Sequence, residues 1–115
     1  MRPVKTNDLA IQEIIYSLVA IAKIFFDAVV ANFTRTITFQ EVIKWFHDHQ
    51  KLKLAKKDNL AFTLLNTTED GQYAVCQGIF NQRQGEIIAG EKLQGQKIDP
   101  ELLAVHQGKI LAIYE

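Results

Sequence analysis

The chain has 115 residues, of which 48% are hydrophobic and 23% are charged. This length and composition are typical of one globular domain, expected to span residues 1–115, and they exclude the disordered and low-complexity classes. Thirteen basic residues balance thirteen acidic ones, which argues against general nucleic-acid binding because such binders usually carry a net positive charge.

The first predicted element is a long, very apolar helix. Asn7 and Asp8 offer N-cap side chains, and the segment 9–33 contains neither Pro nor Gly. Its polar residues form one narrow stripe, whereas the surface helix of a monomer usually shows a wider polar face. Such a helix is either covered by the rest of the fold or packed on a second copy of itself, and we predict the second arrangement, a homodimer formed through this helix. The predicted contact residues, called the dimer stripe below, are Ile14, Leu18, Ile21, Phe25 and Val29.

The same segment is also the only one that resembles a membrane span. Glu13, Lys23 and Asp27 interrupt it, and a charge near the centre of a bilayer costs a few kcal/mol. We therefore expect a buried helix and no membrane association. The single cysteine, Cys76, cannot form an internal disulfide, which favours a reducing, cytoplasmic location.

A second helix is predicted from Phe39 to Gln50, because Thr38 and Glu41 form a capping-box signature. The basic segment 51–59 is expected to be a connection or a short exposed strand. Its lysines are a candidate nucleic-acid site, although a solvated edge that prevents strand pairing is the favoured interpretation. These lysines are Lys51, Lys53, Lys56 and Lys57.

From Asn59 onward the pattern becomes that of strands separated by turn residues. Three strands are predicted at 60–66, 73–80 and 86–93. Asp99 followed by Pro100 predicts the start of a short helix over 100–107, and 109–114 is a last strand. The sequence thus predicts an α+β fold. In it, the long N-terminal helix and the second helix pack on an antiparallel sheet of about four strands.

Several polar and aromatic side chains are candidates for lining a pocket between the sheet and the helices. The run His47-Asp48-His49 contains metal-binding side chains, but residues two apart on a helix point in different directions, so no metal site is predicted. Cys76 is expected to be buried within a strand, not to act as a nucleophile. The candidate ligand-binding residues are Trp45, His47, His49, Tyr73 and His106.

No motif identifies a catalytic centre or a cofactor, and none of either is predicted. The leading hypothesis is a cytoplasmic, homo-oligomeric interaction or regulatory domain without catalysis, which could also have a second protein as its partner. Two alternatives stay open. One is a small-ligand binding protein or small enzyme with a pocket between sheet and helices, and the other is nucleic-acid binding through the lysines of 51–57.

Overall fold

A five-stranded sheet with helices on both faces forms the centre of this computed structural model. The structure describes the backbone of residues 9–114 and the side chains of residues 16–114. The elements in chain order are α1 (Leu9–Asp27), β1 (Ala31–Ile37), α2 (Phe39–Asp48), α3 (Gln50–Leu54), β2 (Asn59–Thr67), β3 (Tyr73–Asn81), β4 (Glu86–Ile98), α4 (Pro100–His106) and β5 (Leu111–Tyr114). The predicted α+β class is confirmed.

The strands lie in the order β1-β4-β3-β2-β5. Strands β2, β3 and β4 form the predicted antiparallel meander, and β5 pairs antiparallel with β2. Strand β1 lies along the outer edge of β4 and runs parallel to it. The prediction of an antiparallel sheet of about four strands is therefore wrong in detail, since the sheet is mixed and has five strands.

The additional strand lies where the sequence pattern was interpreted as the end of the first helix. Helix α1 ends at Asp27, and β1 begins only four residues later. Its pairing partner is the second half of β4, with Thr34 opposite Gly95 and Ile37 opposite Ile98. This pairing also explains why β4 continues to Ile98, five residues beyond the predicted end. Among the described residues, no helix combines the length and hydropathy needed to cross a membrane.

The capping residues predicted at the starts of α2 and α4 are found in the structure, whereas the first helix ends earlier than the sequence pattern indicated. Thr38 Oγ1 accepts a hydrogen bond from the Glu41 amide at 3.2 Å, and the Glu41 carboxylate accepts one from the Thr38 amide at 2.9 Å, which completes the predicted capping box. Asp99 caps α4 by accepting from the Glu101 amide at 3.1 Å. The basic segment differs from the prediction, because residues 50–54 form the short helix α3.

The two faces of the sheet carry separate hydrophobic clusters. Helices α2 and α4 contribute Val42, Phe46 and Leu102 to one cluster, which also contains Val75 of β3. Helix α1 packs in the other cluster, which contains Cys76, the next residue of β3. Because successive strand residues point to opposite faces, the apolar pattern on both faces of β3 is explained by helices on both sides.

Two paired glycines leave room for aromatic rings on the face of the sheet that α1 covers, and one of them, Gly90, lies directly under α1. Gly78 and Gly90 are paired across β3 and β4. A Cβ atom on Gly90 would lie 2.9 Å from the Phe25 ring and 3.0 Å from the Phe26 ring, and one on Gly78 would lie 2.9 Å from the Phe62 ring. These rings occupy the space that side chains would otherwise fill, so α1 approaches β4 closely.

Candidate functional site

A cleft lies beside α1, on the same face of the sheet as the glycine pair and two residues further along β4. We call it the α1 cleft, and its volume is about 320 Å³, within the range of small-molecule sites. Most of its wall is apolar. It is lined by Val19, Ala22, Lys23, Phe26, Asp27, Leu64, Asn66, Ala74, Cys76, Lys92 and Ile110.

The strand ladder places the polar groups of this cleft next to each other. Cys76 of β3 is paired with Lys92 of β4 on one side and with Leu64 of β2 on the other. The Lys92 ammonium donates a hydrogen bond to the carbonyl oxygen of Phe26 at 3.0 Å, one residue before α1 ends. A lysine head therefore lies at the C-terminal end of α1, where the helix dipole favours a cation.

The thiol in the cleft is buried and held in its neutral form. Burial raises the pKa of Cys76 from 9.0 to about 12, while the nearby Lys92 ammonium lowers the pKa and the Asp27 carboxylate raises it, both by smaller amounts. A thiolate is the reactive form of cysteine. At neutral pH, Cys76 is therefore protonated and forms a small apolar part of the cleft wall.

The five predicted ligand-binding residues do not form one pocket. Trp45 and His49 stack on each other with ring centroids 3.9 Å apart, and His49 Nδ1 donates to the Trp45 carbonyl oxygen at 2.7 Å. His47 is exposed and borders a different cavity, of about 320 Å³, together with Phe46 and Lys53. The two histidines of α2 and its C-cap thus have separate surroundings.

Tyr73 and His106 are the two predicted residues that do share a cavity. It has a volume of about 540 Å³ and lies beside the start of β5, where Leu103 and Ile110 also line it. His106 is nevertheless buried, and its ring is committed to the core through a chain of hydrogen bonds. We therefore do not count His106 as a ligand-binding group.

The hydrogen-bond chain around His106 determines its tautomer. His106 Nδ1 lies 3.0 Å from the Lys109 carbonyl oxygen, which can only accept, so Nδ1 carries the proton. The neutral Nε2 atom then accepts from Thr63 Oγ1 at 2.8 Å, and Thr63 Oγ1 accepts from the Tyr114 hydroxyl at 2.7 Å. Burial lowers the pKa of His106 and raises that of Tyr114. Both groups are neutral structural residues at pH 7.

The predicted nucleic-acid lysines are divided between two elements. Lys51 and Lys53 lie on α3, whereas Lys56 and Lys57 lie in the turn that leads into β2. In residues 16–114, no group of three or more His, Cys, Asp or Glu side chains is arranged to hold a metal ion.

The dimer stripe faces the protein's own sheet. Leu18 is 0% exposed, and Ile21, Phe25 and Val29 pack as partly buried residues against the α1 cluster. The side chain of Ile14 lies outside the described residues. The outward surface of α1 is formed by other residues, among them Tyr16, Lys23 and Ile24.

Sequence reasoning considered Cys76 and Lys23 but did not bring them together with Lys92. The available signal was alternation in β4, where Lys92 falls on the same face as Gly90, the face that α1 covers. A lysine on a helix-covered face is unusual because lysine is rarely buried without a partner. That signal becomes usable only when the register of β3 and β4 is known.

No protein-family model, no curated protein and no solved structure matches this chain. The function proposed below therefore rests on the geometry and chemistry of the sites just described.

Proposed function

We propose that the protein binds a small, mostly apolar molecule in the α1 cleft, and that a hydrogen-bond acceptor of the ligand contacts Lys92. The observation that supports this proposal is an ammonium group at the edge of a mostly apolar cleft of about 320 Å³. An ammonium has three N–H donors, of which the Phe26 carbonyl takes one. The others are suited to a carboxylate or carbonyl oxygen of a ligand.

The charges around the cleft indicate which head groups fit. Lys23 and Lys92 face one carboxylate, that of Asp27, together with the C-terminal end of α1, which carries about half a negative charge. The sum is close to neutral. Hydrogen bonding to Lys92, more than net charge, would therefore hold the head group, while Val19, Phe26 and Leu64 contact the apolar part.

A test uses octanoate and octanamide as probes, one charged and one neutral. Both are expected to bind, with saturable changes in the amide NMR signals of residues 74–76 and 92. Lys92→Met should weaken binding of both probes about tenfold, the effect of losing about 1.4 kcal/mol. Ala74→Phe, which fills the cleft, should abolish it.

Lys97→Met is the matched control, because Lys97 lies on the same strand but is exposed. It should bind both probes as the unchanged protein does. Equal binding by the Ala74→Phe variant would rule out the α1 cleft as the site. Equal weakening by the two lysine variants would rule out the role of Lys92.

A second candidate function is self-association through the edge of the sheet, which keeps the predicted homodimer but moves its interface. Among residues 9–114, strand β1 is the last strand at its side of the sheet. Phe33 on this strand is 75% exposed, and Val30, just before it, is 85% exposed. An exposed edge strand with apolar side chains is a template for pairing with another chain, including a second copy.

Under this proposal the protein is a dimer at micromolar concentrations, and Phe33→Lys is monomeric because an edge lysine opposes strand pairing. Leu54→Lys is the control, since Leu54 is an exposed apolar residue on α3. Light scattering on a sizing column measures the native mass of each. A monomeric unchanged protein, or a dimeric Phe33→Lys variant, would contradict the proposed edge interface.

A further inference from the structure

A basic pocket lies between the turn that follows α3 and the loop that joins β3 to β4. Lys56 and Lys57 come from the first segment and Arg83 from the second, and the pocket has a volume of about 520 Å³. Arg83 is far from the two lysines in the sequence, so only the fold brings the three cations together. Of the carboxylates in the described part of the chain, Asp58 alone lines the pocket with them.

Two buried asparagines hold these segments in place. Asn59 and Asn81 are each 2% exposed and are paired across β2 and β3. Asn81 Nδ2 donates to Asn59 Oδ1 at 2.7 Å, and Asn59 Nδ2 donates to the Leu52 carbonyl oxygen at 2.8 Å. Asn81 Oδ1 accepts from the Gln84 amide at 2.8 Å. The pair therefore connects α3 to the β3–β4 loop.

Backbone hydrogen bonds connect the same segments. The Gln82 amide donates to the Asp58 carbonyl oxygen at 2.9 Å, and the Gly85 amide donates to the Asn81 carbonyl oxygen at 2.9 Å. Burying two amide side chains is costly unless their polar groups are paired. Here the pairs are used to fix two loops, and none of these bonds involves the cationic heads of Lys56, Lys57 or Arg83.

We propose that this pocket binds the phosphate groups of a small polyphosphate anion. A guanidinium offers a planar pair of donors that matches phosphate oxygens, and lysine ammonium groups add point charges. The three cations outnumber the one carboxylate, so the pocket is positive although the whole chain is neutral. The site is independent of the α1 cleft, with which it shares no lining residue.

The pocket fits a compact anion better than a nucleic-acid strand. A strand needs a continuous basic and aromatic track, but the lysines of 51–57 are divided. Lys53 borders the cavity of His47, and Lys56 and Lys57 border the basic pocket. The positive charge of Lys56, Lys57 and Arg83 is therefore concentrated in one concave pocket.

The test titrates the intact protein with inorganic triphosphate at an ionic strength of about 0.1 M, where the Debye length is about 10 Å, following the amide NMR signals of residues 56–58 and 82–85. Saturable shifts confined to these residues are expected. Arg83→Gln should weaken binding about tenfold or more, because it removes a charged bidentate contact. Lys97→Gln, which changes an exposed lysine elsewhere on the sheet, should alter binding by less than about twofold, since charge at a distance is largely screened.

Three results would overturn the proposal. One is the absence of saturable shifts with triphosphate, and the second is equal weakening by Arg83→Gln and Lys97→Gln. The third is tighter binding of a single-stranded oligonucleotide that depends on Lys51, since Lys51→Gln would then identify an extended nucleic-acid surface on α3. The octanoate titration of the α1 cleft gives a separate readout, so failure of binding at one site leaves the other proposal standing.

Discussion

Replacing Leu18 by Asp is expected to unfold the protein. If Leu18 were a dimer contact, the same substitution would only separate the subunits. Leu18 is 0% exposed and lies in the cluster that joins α1 to Phe62 and Phe80 of the sheet. The substitution removes a buried aliphatic side chain and leaves a carboxylate in its place. No surface of Leu18 is available for a second molecule.

The expected size of the effect follows from two contributions. Truncating a buried leucine costs about 2–5 kcal/mol, and placing a polar group without partners in the core adds about 1–3 kcal/mol on mutational scales, more if it stays charged. The sum is comparable with the whole free energy of unfolding of a domain, about 5–15 kcal/mol. We therefore expect little or no cooperative unfolding transition for Leu18→Asp.

Urea unfolding followed by the fluorescence of Trp45, the only tryptophan, measures the effect. Ile24→Asp is the matched control, because Ile24 lies on the same helix and is 77% exposed. It should lower the free energy of unfolding by no more than about 1 kcal/mol, mainly because the new carboxylate lies in the last turn of α1, where the helix dipole disfavours an anion. A folded, monomeric Leu18→Asp variant of an otherwise dimeric protein would contradict this account and restore the dimer stripe.

The difference between the two interpretations of α1 shows what local sequence patterns can establish. Spacing by three and four identified Leu18, Ile21 and Phe25 as one helical face, and that face is indeed the packed one. The pattern does not say which surface covers it. Since α2 and α4 cover the opposite face of the sheet, the face next to α1 is free to pack on this helix, and it replaces the second copy that the pattern had led us to expect.

Signals that act within a few residues predicted structure well. Thr38 with Glu41 and Asp99 with Pro100 fixed the starts of α2 and α4, because each cap is satisfied by backbone groups two or three residues away. Strand β1 had no such signal. It follows α1 without Gly or Pro, and its stabilising partner, the end of β4, is distant in the chain.

The candidate sites were harder to predict than the fold for the same reason. Lys92 is placed beside Cys76 by the register of β3 and β4, and Arg83 is placed beside Lys57 by the Asn59–Asn81 pair. Neither arrangement follows from spacing along the chain. Conversely, His47 and His49 are close in sequence but face different surroundings, as helix geometry leads one to expect of residues two apart.

Cys76 should react with a thiol reagent such as a disulfide at least about 30-fold more slowly at pH 8 in the folded protein than in urea. Burial raises the pKa of Cys76 from 9.0 to about 12, so the thiolate fraction at pH 8 falls about a thousandfold. The greater basicity of the thiolate recovers part of this, because nucleophilicity rises by about half a log unit per pKa unit. Burial by α1 slows the reagent further.

The pH dependence of the reaction rate tests the raised pKa of Cys76 more directly than the rate at pH 8 alone. In urea the rate should level off above pH 9, whereas in the folded protein it should keep rising up to the highest pH at which the protein stays folded. The raised pKa also makes stability depend on pH. The unfolded thiol loses its proton near pH 9 while the folded one keeps it, so the free energy of unfolding decreases as pH rises from 9 towards 12.

The control for Cys76 moves the thiol to an exposed position on the same helix that covers it. In a Cys76→Ser background, Ser17→Cys places the thiol on the outer side of α1, and its rate should level off near pH 9 with or without urea. A slow reaction of folded Cys76 that also levels off near pH 9 would contradict the raised pKa, because it would mean that the reagent reaches an ordinary thiol after α1 opens. Octanoate bound in the α1 cleft should slow the reaction further, since it would lie between the reagent and the sulfur atom.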